Sequence, residues 1–285
     1  MKQLNHLLIS LFDLLFTIAT VVDALNDHNC GQQDRKTNVL IRFPRNNRLV
    51  SLSKWSSRLD PSSAPANSWP WAVRLIAIPN ANVYLQCRGT IIDQEWLITN
   101  EHCFHGIAVF RVFFDDHAGL GETASCNLET RTSVVKHPYI DVALVNFGSC
   151  LPPKRNRSFL QMRTACLPNL NYRFHDHLVL LGCTPDGARV VDESQTTHLQ
   201  QSLVKLVDHE FTELQGRSEY VIVKPEDGRN ATCWGASGSG LFDWVNRRWT
   251  LTAMHKASHS TSFMKMAVNM SNIIPWIVRT TTKLL

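Results

Sequence analysis

Three residues in this 285-residue chain are of types that together support nucleophilic chemistry. Ser237 lies in CWGASGSGL (233–241), between small residues and shortly before the apolar pair Leu241-Phe242. His102 lies in WLITNEHCF (96–104), just after a strand-like run, and Asp141 lies in HPYIDVALV (137–145), at the head of another. A serine hydroxyl is a weak nucleophile until a base takes its proton as it attacks. An imidazole can take that proton near neutral pH and return it to a leaving group. A carboxylate can fix the imidazole tautomer and stabilise its charged form. Singly, each residue has a plain reading: a glycine-rich turn, one of twelve histidines, the first residue of a strand. Together they are more specific, because each sits in its own local signature and they come in a fixed order.

The elements that must position them are short strands. From Trp69 onward, runs rich in β-branched and apolar residues are bounded by turn residues: WAVRLIAI (71–78), VYLQC (83–87), GTII (89–92), EWLIT (95–99), IAVFRVFF (107–114), DVALVNF (141–147), HLVLLGC (177–183), YVIVK (220–224), GLFDW (240–244) and RWTLTAM (248–254). Regular short strands with little helix between them predict an all-β sandwich or barrel. Only the tail, NIIPWIVRTTTKLL (272–285), reads as helix, with Pro275 suited to its first turn. Residues 25–68 are polar, lack periodicity and end in the linker-like DPSSAPANS (60–68), so they read as a pro-segment or tether. No internal repeat is found.

With 44% hydrophobic and 19% charged residues, the chain has ample material for one large domain or two small ones. A net charge of +5 is too mild to point to nucleic acid. The basic clusters RFPRNNR (42–48) and PPKRNR (152–157) read as solvated loops or processing sites, with an anionic surface as the alternative partner. Lys2, the apolar run LLISLFDLLFTIATVV (7–22) and Val22-Asp23-Ala24 read as a signal peptide over 1–24, cut near Ala24. A retained anchor is the alternative, although Asp13 interrupts the run. A secreted, extracellular chain with eight cysteines is expected to form four disulfides, in any of 105 pairings. No CxxC pair suggests a zinc cluster, and no metal or other cofactor is implied. Asn-x-Ser/Thr sequons at Asn156, Asn230 and Asn269 fit the same compartment.

From about Trp69 to the end, roughly three-quarters of the chain, the sequence resembles the chymotrypsin/trypsin-like serine protease family. SWPWAVRL resembles the opening "WPWQVSL", and CRGTIIDQEWLITNEHCF resembles "CGGSLI…WVLTAAHCF". HPYIDVALVNF, ACLPN, CWGASGSGLF and PWI resemble "HPxxDIALLKL", "ICLP", "CxGDSGGPLV" and "YxxWI", in the family's order. The resemblance implies two six-stranded antiparallel β-barrels with a C-terminal helix, a peptidase domain over 69–285, and an active site in the cleft between the barrels. It implies that His102 is the general base, Asp141 its orienting carboxylate and Ser237 the nucleophile, in the chain order His, Asp, Ser. The N–H groups of Gly235 and Ser237 would form the oxyanion hole, with Gly235 free of a side chain that would restrict the backbone there. It also implies a disulfide Cys87–Cys103 closing the histidine loop, and Cys30–Cys166 tethering residues 25–68 to the peptidase domain. Cys126–Cys150 and Cys183–Cys233 are then the remaining pairs. The family usually pairs the position of Cys233 with a later cysteine, and this chain has none.

The chain departs from the family pattern at the activation switch and the pocket. Ala236 stands where the family carries the Asp that pairs with a newly cut N-terminus, and no "IVGG" is present. Losing both halves together is coherent, since a buried carboxylate without its cation is costly. HKAS (255–258) replaces "VSWG": Lys256 stands where a serine supports the catalytic carboxylate, and a cation there is expected to pair with Asp141 and disturb His102. Ala257 and Ser258 replace the aromatic residue and the glycine of that segment. Ala231 stands at the pocket base, beside the Asn230 sequon, so small or apolar side chains are expected there rather than Arg or Lys. Two functions follow. One is a secreted serine endopeptidase working through an acyl-enzyme without the N-terminal switch; the other is an inactive homologue that binds a partner. Expected partners are a protein or peptide substrate and a protein inhibitor, with no nucleic acid, no membrane after signal cleavage, and the chain acting as a monomer.

Overall fold

The computed structural model describes residues 26, 30–32, 62–64, 68–80, 83–114, 125–150, 163–182, 189–190, 199–207, 219–225, 236–256 and 265–282. The expected signal peptide 1–24 and both basic clusters lie outside the described residues.

Two antiparallel sheets account for the fold, each built on one half of the chain. The first contains β2 (Ala72–Asn80), β3 (Val83–Ile91), β4 (Trp96–Thr99), β5 (Val109–Phe113), β6 (Ser125–Glu129), β7 (Val134–Lys136) and β8 (Ala143–Asn146). Their order is β6-β5-β2-β3-β4-β8-β7. A helical turn, Thr130–Ser133, separates β6 from β7. One segment therefore bonds to β5 with its first part and to β8 with its last, and the two ends of the sheet meet in it. A two-residue strand, β10 (Arg189–Val190), pairs with β3.

The second sheet contains β9 (His177–Leu181), β11 (Gln200–Leu206), β12 (Tyr220–Pro225), β13 (Gly240–Val245), β14 (Arg248–His255) and β15 (Lys265–Asn269). Because β11 pairs with both β12 and β9, these six strands close into a barrel. A short strand, β1 (Ser62–Ser63), adds to the β11 edge. The chain ends in a 3-10 turn, Met270–Ile273, and a helix, Ile274–Thr281, with Pro275 in its first turn.

Several strands bury both faces. In β9, Leu178 and Leu180 point into the small barrel core with Val204, Val223 and Leu241, while Val179 and Leu181 join the larger core. That is the two-residue alternation of a pleated strand. Where polar residues interrupt the apolar run the sequence signal is weak, and β6, β11 and β15 were not expected from it. VYLQC and GTII, expected as separate runs, form the single strand β3. Gly89 lets that strand pass closely, since a Cβ there would lie 3.0 Å from both Leu97 and Val73 side chains.

An aromatic cluster joins the two sheets. Trp69, fully buried just before β2, packs on Trp71, on Phe242 of β13 and on Trp249 of β14, with ring centroids 5.8, 5.5 and 4.7 Å away. Its indole N–H donates to Gln201 Oε1 of β11 at 2.8 Å. Three disulfides, Cys30–Cys166, Cys87–Cys103 and Cys126–Cys150, add covalent ties. Cys183 and Cys233 lie outside the described residues. Near Cys30 the early segment is hydrogen-bonded to the body of the fold. Gly31 N donates to Thr164 O at 2.8 Å, Trp249 N donates to Gly31 O at 3.0 Å, and Asn26 exchanges two bonds with the Leu167 backbone.

Trp69→Ala is expected to lower stability by about 3–5 kcal/mol, the usual loss for a fully buried indole. Trp69→Phe keeps much of the ring packing but removes the donor to Gln201, and is expected to lose about 1–3 kcal/mol. Guanidinium unfolding of the disulfide-intact chain measures both.

Candidate active site

The three candidate residues come from turns that the two sheets hold. His102 lies in the 3-10 turn Glu101–Phe104 that follows β4, and the next residue, Cys103, is tied to Cys87 in β3. Asp141 precedes β8 at the end of a tight turn. There His137 Nδ1 accepts from the N–H groups of Tyr139 and Ile140 at 3.2 and 3.0 Å, while His137 N donates to Val142 O at 2.9 Å. Burial pushes the His137 pKa down, which keeps that ring nitrogen available as an acceptor. Ser237 precedes β13 on the other sheet, and Gly238 follows it with φ at +82°. A Cβ on Gly238 would overlap the Arg88 carbonyl oxygen and Thr99 Oγ1, so only glycine fits.

The turns converge. His102 Nε2 lies 2.6 Å from Ser237 Oγ, and His102 Nδ1 lies 2.7 Å from Asp141 Oδ2. The His102 backbone N–H donates to Asp141 Oδ1 at 3.0 Å, so both carboxylate oxygens hold the same residue. Ser237 is buried, and His102 and Asp141 are partly so. Burial pushes the Asp141 carboxyl pKa up. The His102 hydrogen bonds and charge, with the nearby Lys256 ammonium, outweigh it and leave the carboxyl below its usual range.

Lys256 stands 3.6 Å from Asp141 Oδ2, the oxygen His102 Nδ1 also uses. Pairing with Asp141 was the sequence expectation; displacement of His102 does not accompany it, since the imidazole keeps its 2.7 Å contact. The ammonium also lies 5.9 Å from the centre of the Tyr220 ring.

Around Ser237 the main chain is bonded on several sides. Arg88 N donates to Ser237 O at 2.7 Å, Ala236 N to Gly182 O at 2.9 Å, Ser239 N to Ala236 O at 3.0 Å and His255 N to Ser239 O at 2.8 Å. Ala236 is buried, with no carboxylate for a cation to meet. Among the described residues the Ser237 N–H meets no acceptor, which leaves it available to a ligand oxygen. Gly235, Ala231, Ala257, Ser258, Asn156 and Asn230 lie outside the described residues. Asn269 is half-buried, and its Oδ1 accepts from Ser271 N at 3.1 Å.

Sequence reasoning passed over Asn100. Its side chain is buried, with Nδ2 donating to Asp141 O at 2.9 Å and Oδ1 accepting from Gly238 N at 2.5 Å. The available signal was the departure of ITNEHCF from "LTAAHCF" two residues before the histidine.

Residues 60–277 match the trypsin family model, and the chain belongs to that family. Transmembrane protease serine 7 of Rattus norvegicus is 24% identical over 76% of this chain, which spans only 27% of that protein. Chymotrypsin-like elastase family member 1 of Canis lupus familiaris is 24% identical over 67% of this chain and 77% of its own length. Among solved structures, HL collagenase superposes with a TM-score of 0.60 at 18% identity, covering 80% of this chain and 99% of its own. At that identity the likeness speaks for the fold, a chymotrypsin-like pair of β-barrel sheets with a short C-terminal helix.

Asp141 has a folded-state pKa below its unfolded value, so its contribution to stability is present above the unfolded value and lost as pH falls through the folded one. Asp141→Asn is therefore expected to cost about 1–3 kcal/mol near pH 7. Urea unfolding at stepped pH should show that gap closing as the medium is acidified.

Proposed function

We propose that the chain is a secreted serine endopeptidase that hydrolyses peptide bonds through an acyl-enzyme. The observation that carries this reading is the continuous contact from Asp141 Oδ2 through the His102 ring to Ser237 Oγ, at 2.7 and 2.6 Å. Ser237 Oγ attacks the scissile carbonyl carbon while its proton passes to His102 Nε2. The carbonyl oxygen, now negative, is received by the N–H of Ser237 and, from the family pattern, that of Gly235. His102 then gives the proton to the leaving amine, the C–N bond breaks, and Ser237 is left acylated. Water, deprotonated by the same nitrogen, attacks the ester and restores the hydroxyl. Asp141 keeps Nδ1 protonated and stabilises the imidazolium in both steps.

The remaining assignments belong to the same reading. The family pattern assigns Ala231, Ala257 and Ser258, with Lys256, to a pocket for small or apolar side chains. Residues 69–285 form the peptidase domain, and residues 25–68 remain tethered through Cys30–Cys166 after removal of 1–24. Disulfides in a family with many extracellular members support secretion. No helix among the described residues is long and apolar enough to cross a membrane. Asn156, Asn230 and Asn269 are the proposed glycan sites. The chain works as a monomer on protein or peptide substrates and is open to protein inhibitors.

Fluorophosphonate treatment of the purified mature chain should label Ser237, and Ser237→Ala should abolish both labelling and peptide hydrolysis. No labelling, beside an active control, would leave the binding homologue that Ala236 and Lys256 favour.

A further inference from the structure

We propose that Asn100 is a positioning residue, whose amide bridges the Asp141 turn and the Ser237 turn and orders the site in place of the ion pair that Ala236 cannot make. The inference rests on the hydrolytic reading above and names what sustains its geometry.

Asn100 follows directly on β4 of the first sheet, two residues before His102, and is fully buried. One end of its amide donates to the Asp141 carbonyl at 2.9 Å, and the other accepts from the Gly238 N–H at 2.5 Å. The partners fix the amide's orientation, because a carbonyl needs a donor and an N–H needs an acceptor. Gly238 N–H also faces His255 O at 3.2 Å, but that partner belongs to Gly238's own sheet. The Asn100 bond is the one that crosses from the first sheet to the second at this N–H. The main chain it bonds lies close against the first sheet, since a Cβ on Gly238, at φ +82°, would overlap Arg88 O and Thr99 Oγ1. Thr99, next to Asn100, accompanies it by donating to Arg88 O at 2.6 Å, and Arg88 N bonds Ser237 O.

One side chain thus sets the carboxylate-bearing turn against the nucleophile-bearing turn. In a buried setting, an amide satisfied at both ends resists displacement, because either broken bond leaves a desolvated group without a partner. The bridge contains no ionisable group and needs no newly cut N-terminus. The alanine of "LTAAHCF" could make neither bond. The chain therefore gains a two-ended tie at position 100 while lacking the carboxylate at position 236.

The test uses the full-length mature protein with Asn100→Leu, which keeps volume and removes both bonds, and Asn100→Asp. The aspartate can accept from Gly238 but sets an oxygen against the Asp141 carbonyl. Turnover is normalised by active-site titration, and amide hydrogen exchange is followed in segments 137–146 and 236–241. For Asn100→Leu, kcat should fall about 10- to 100-fold with KM changed less than about 3-fold, and both segments should exchange faster. For Asn100→Asp, exchange should rise in 137–146 while 236–241 stays near wild type. If Asn100→Leu does not fold, this asymmetric pattern in Asn100→Asp decides. Wild-type kcat and exchange in the leucine variant, or equal changes in both segments of the aspartate variant, would overturn the proposal. Should wild type fail to react with fluorophosphonate, the hydrolytic reading falls by itself, and the exchange pattern still judges the bridge.

Discussion

The 2.6 Å contact between His102 Nε2 and Ser237 Oγ spans two sheets, so it exists only while those sheets keep one relative position. Neither sheet can enforce that position alone. The aromatic cluster around Trp69 supplies area and shape at the seam, with Trp249 and Phe242 contributed by the second sheet and Trp71 by the approach to the first. Hydrophobic contact is non-directional, however, and would tolerate sliding of a few tenths of an ångström. Directional bonds remove that freedom. Trp69 to Gln201 fixes the cluster at one end, and Arg88 N to Ser237 O fixes the other end beside the nucleophile. Arg88 also fills the space against Gly182, where a Cβ would come 2.9 Å from Arg88 Cγ, so the stem of one residue reports the position of both sheets.

The charges near Asp141 show which contact wins. His102 approaches Oδ2 at 2.7 Å and adds a backbone donor to Oδ1, whereas the Lys256 ammonium stops at 3.6 Å and keeps a third of its side chain in solvent. A short charge-assisted hydrogen bond with good geometry outweighs a longer, partly screened ion pair. Lys256 therefore adds field without taking over the carboxylate. Its influence is on the field at the carboxylate, and less on where the imidazole sits.

The parts of this structure legible in the sequence are those where the cause is local. His102, Asp141 and Ser237 each sit in a run of neighbours that announces a turn beside a buried strand, and those three turns do meet. Strands buried on both faces, such as β9 and β14, were equally plain. Strands such as β11, QQSLVKL, carry polar residues on both faces and little signal of their own. Arg74 and Arg88 hid a different fact. They are cross-strand partners in β2 and β3 and both are buried, although their type predicts solvent. Asn100 was illegible for a related reason: its two partners are backbone groups 41 and 138 residues away, and no sequence pattern marks a backbone group as a partner.

That last case bears on how a serine turn can be ordered without a buried ion pair. A carboxylate at position 236 would be buried, and its charge would have to be matched by a cation in the same place. Alanine removes that demand altogether, but it also removes the force that would draw the turn into one conformation. What remains to hold the turn is neutral: Ala236 N to Gly182 O, Gly238 N to Asn100 Oδ1, and Arg88 N to Ser237 O. Each such bond is modest, on the order of 1 kcal/mol net. They act on consecutive residues from three different strands or turns, so displacing the turn breaks several at once and strands desolvated groups on both sheets. Under the proposed reading, order at Ser237 becomes a property of the folded chain, set when the sheets close on each other and independent of a cut elsewhere in the sequence.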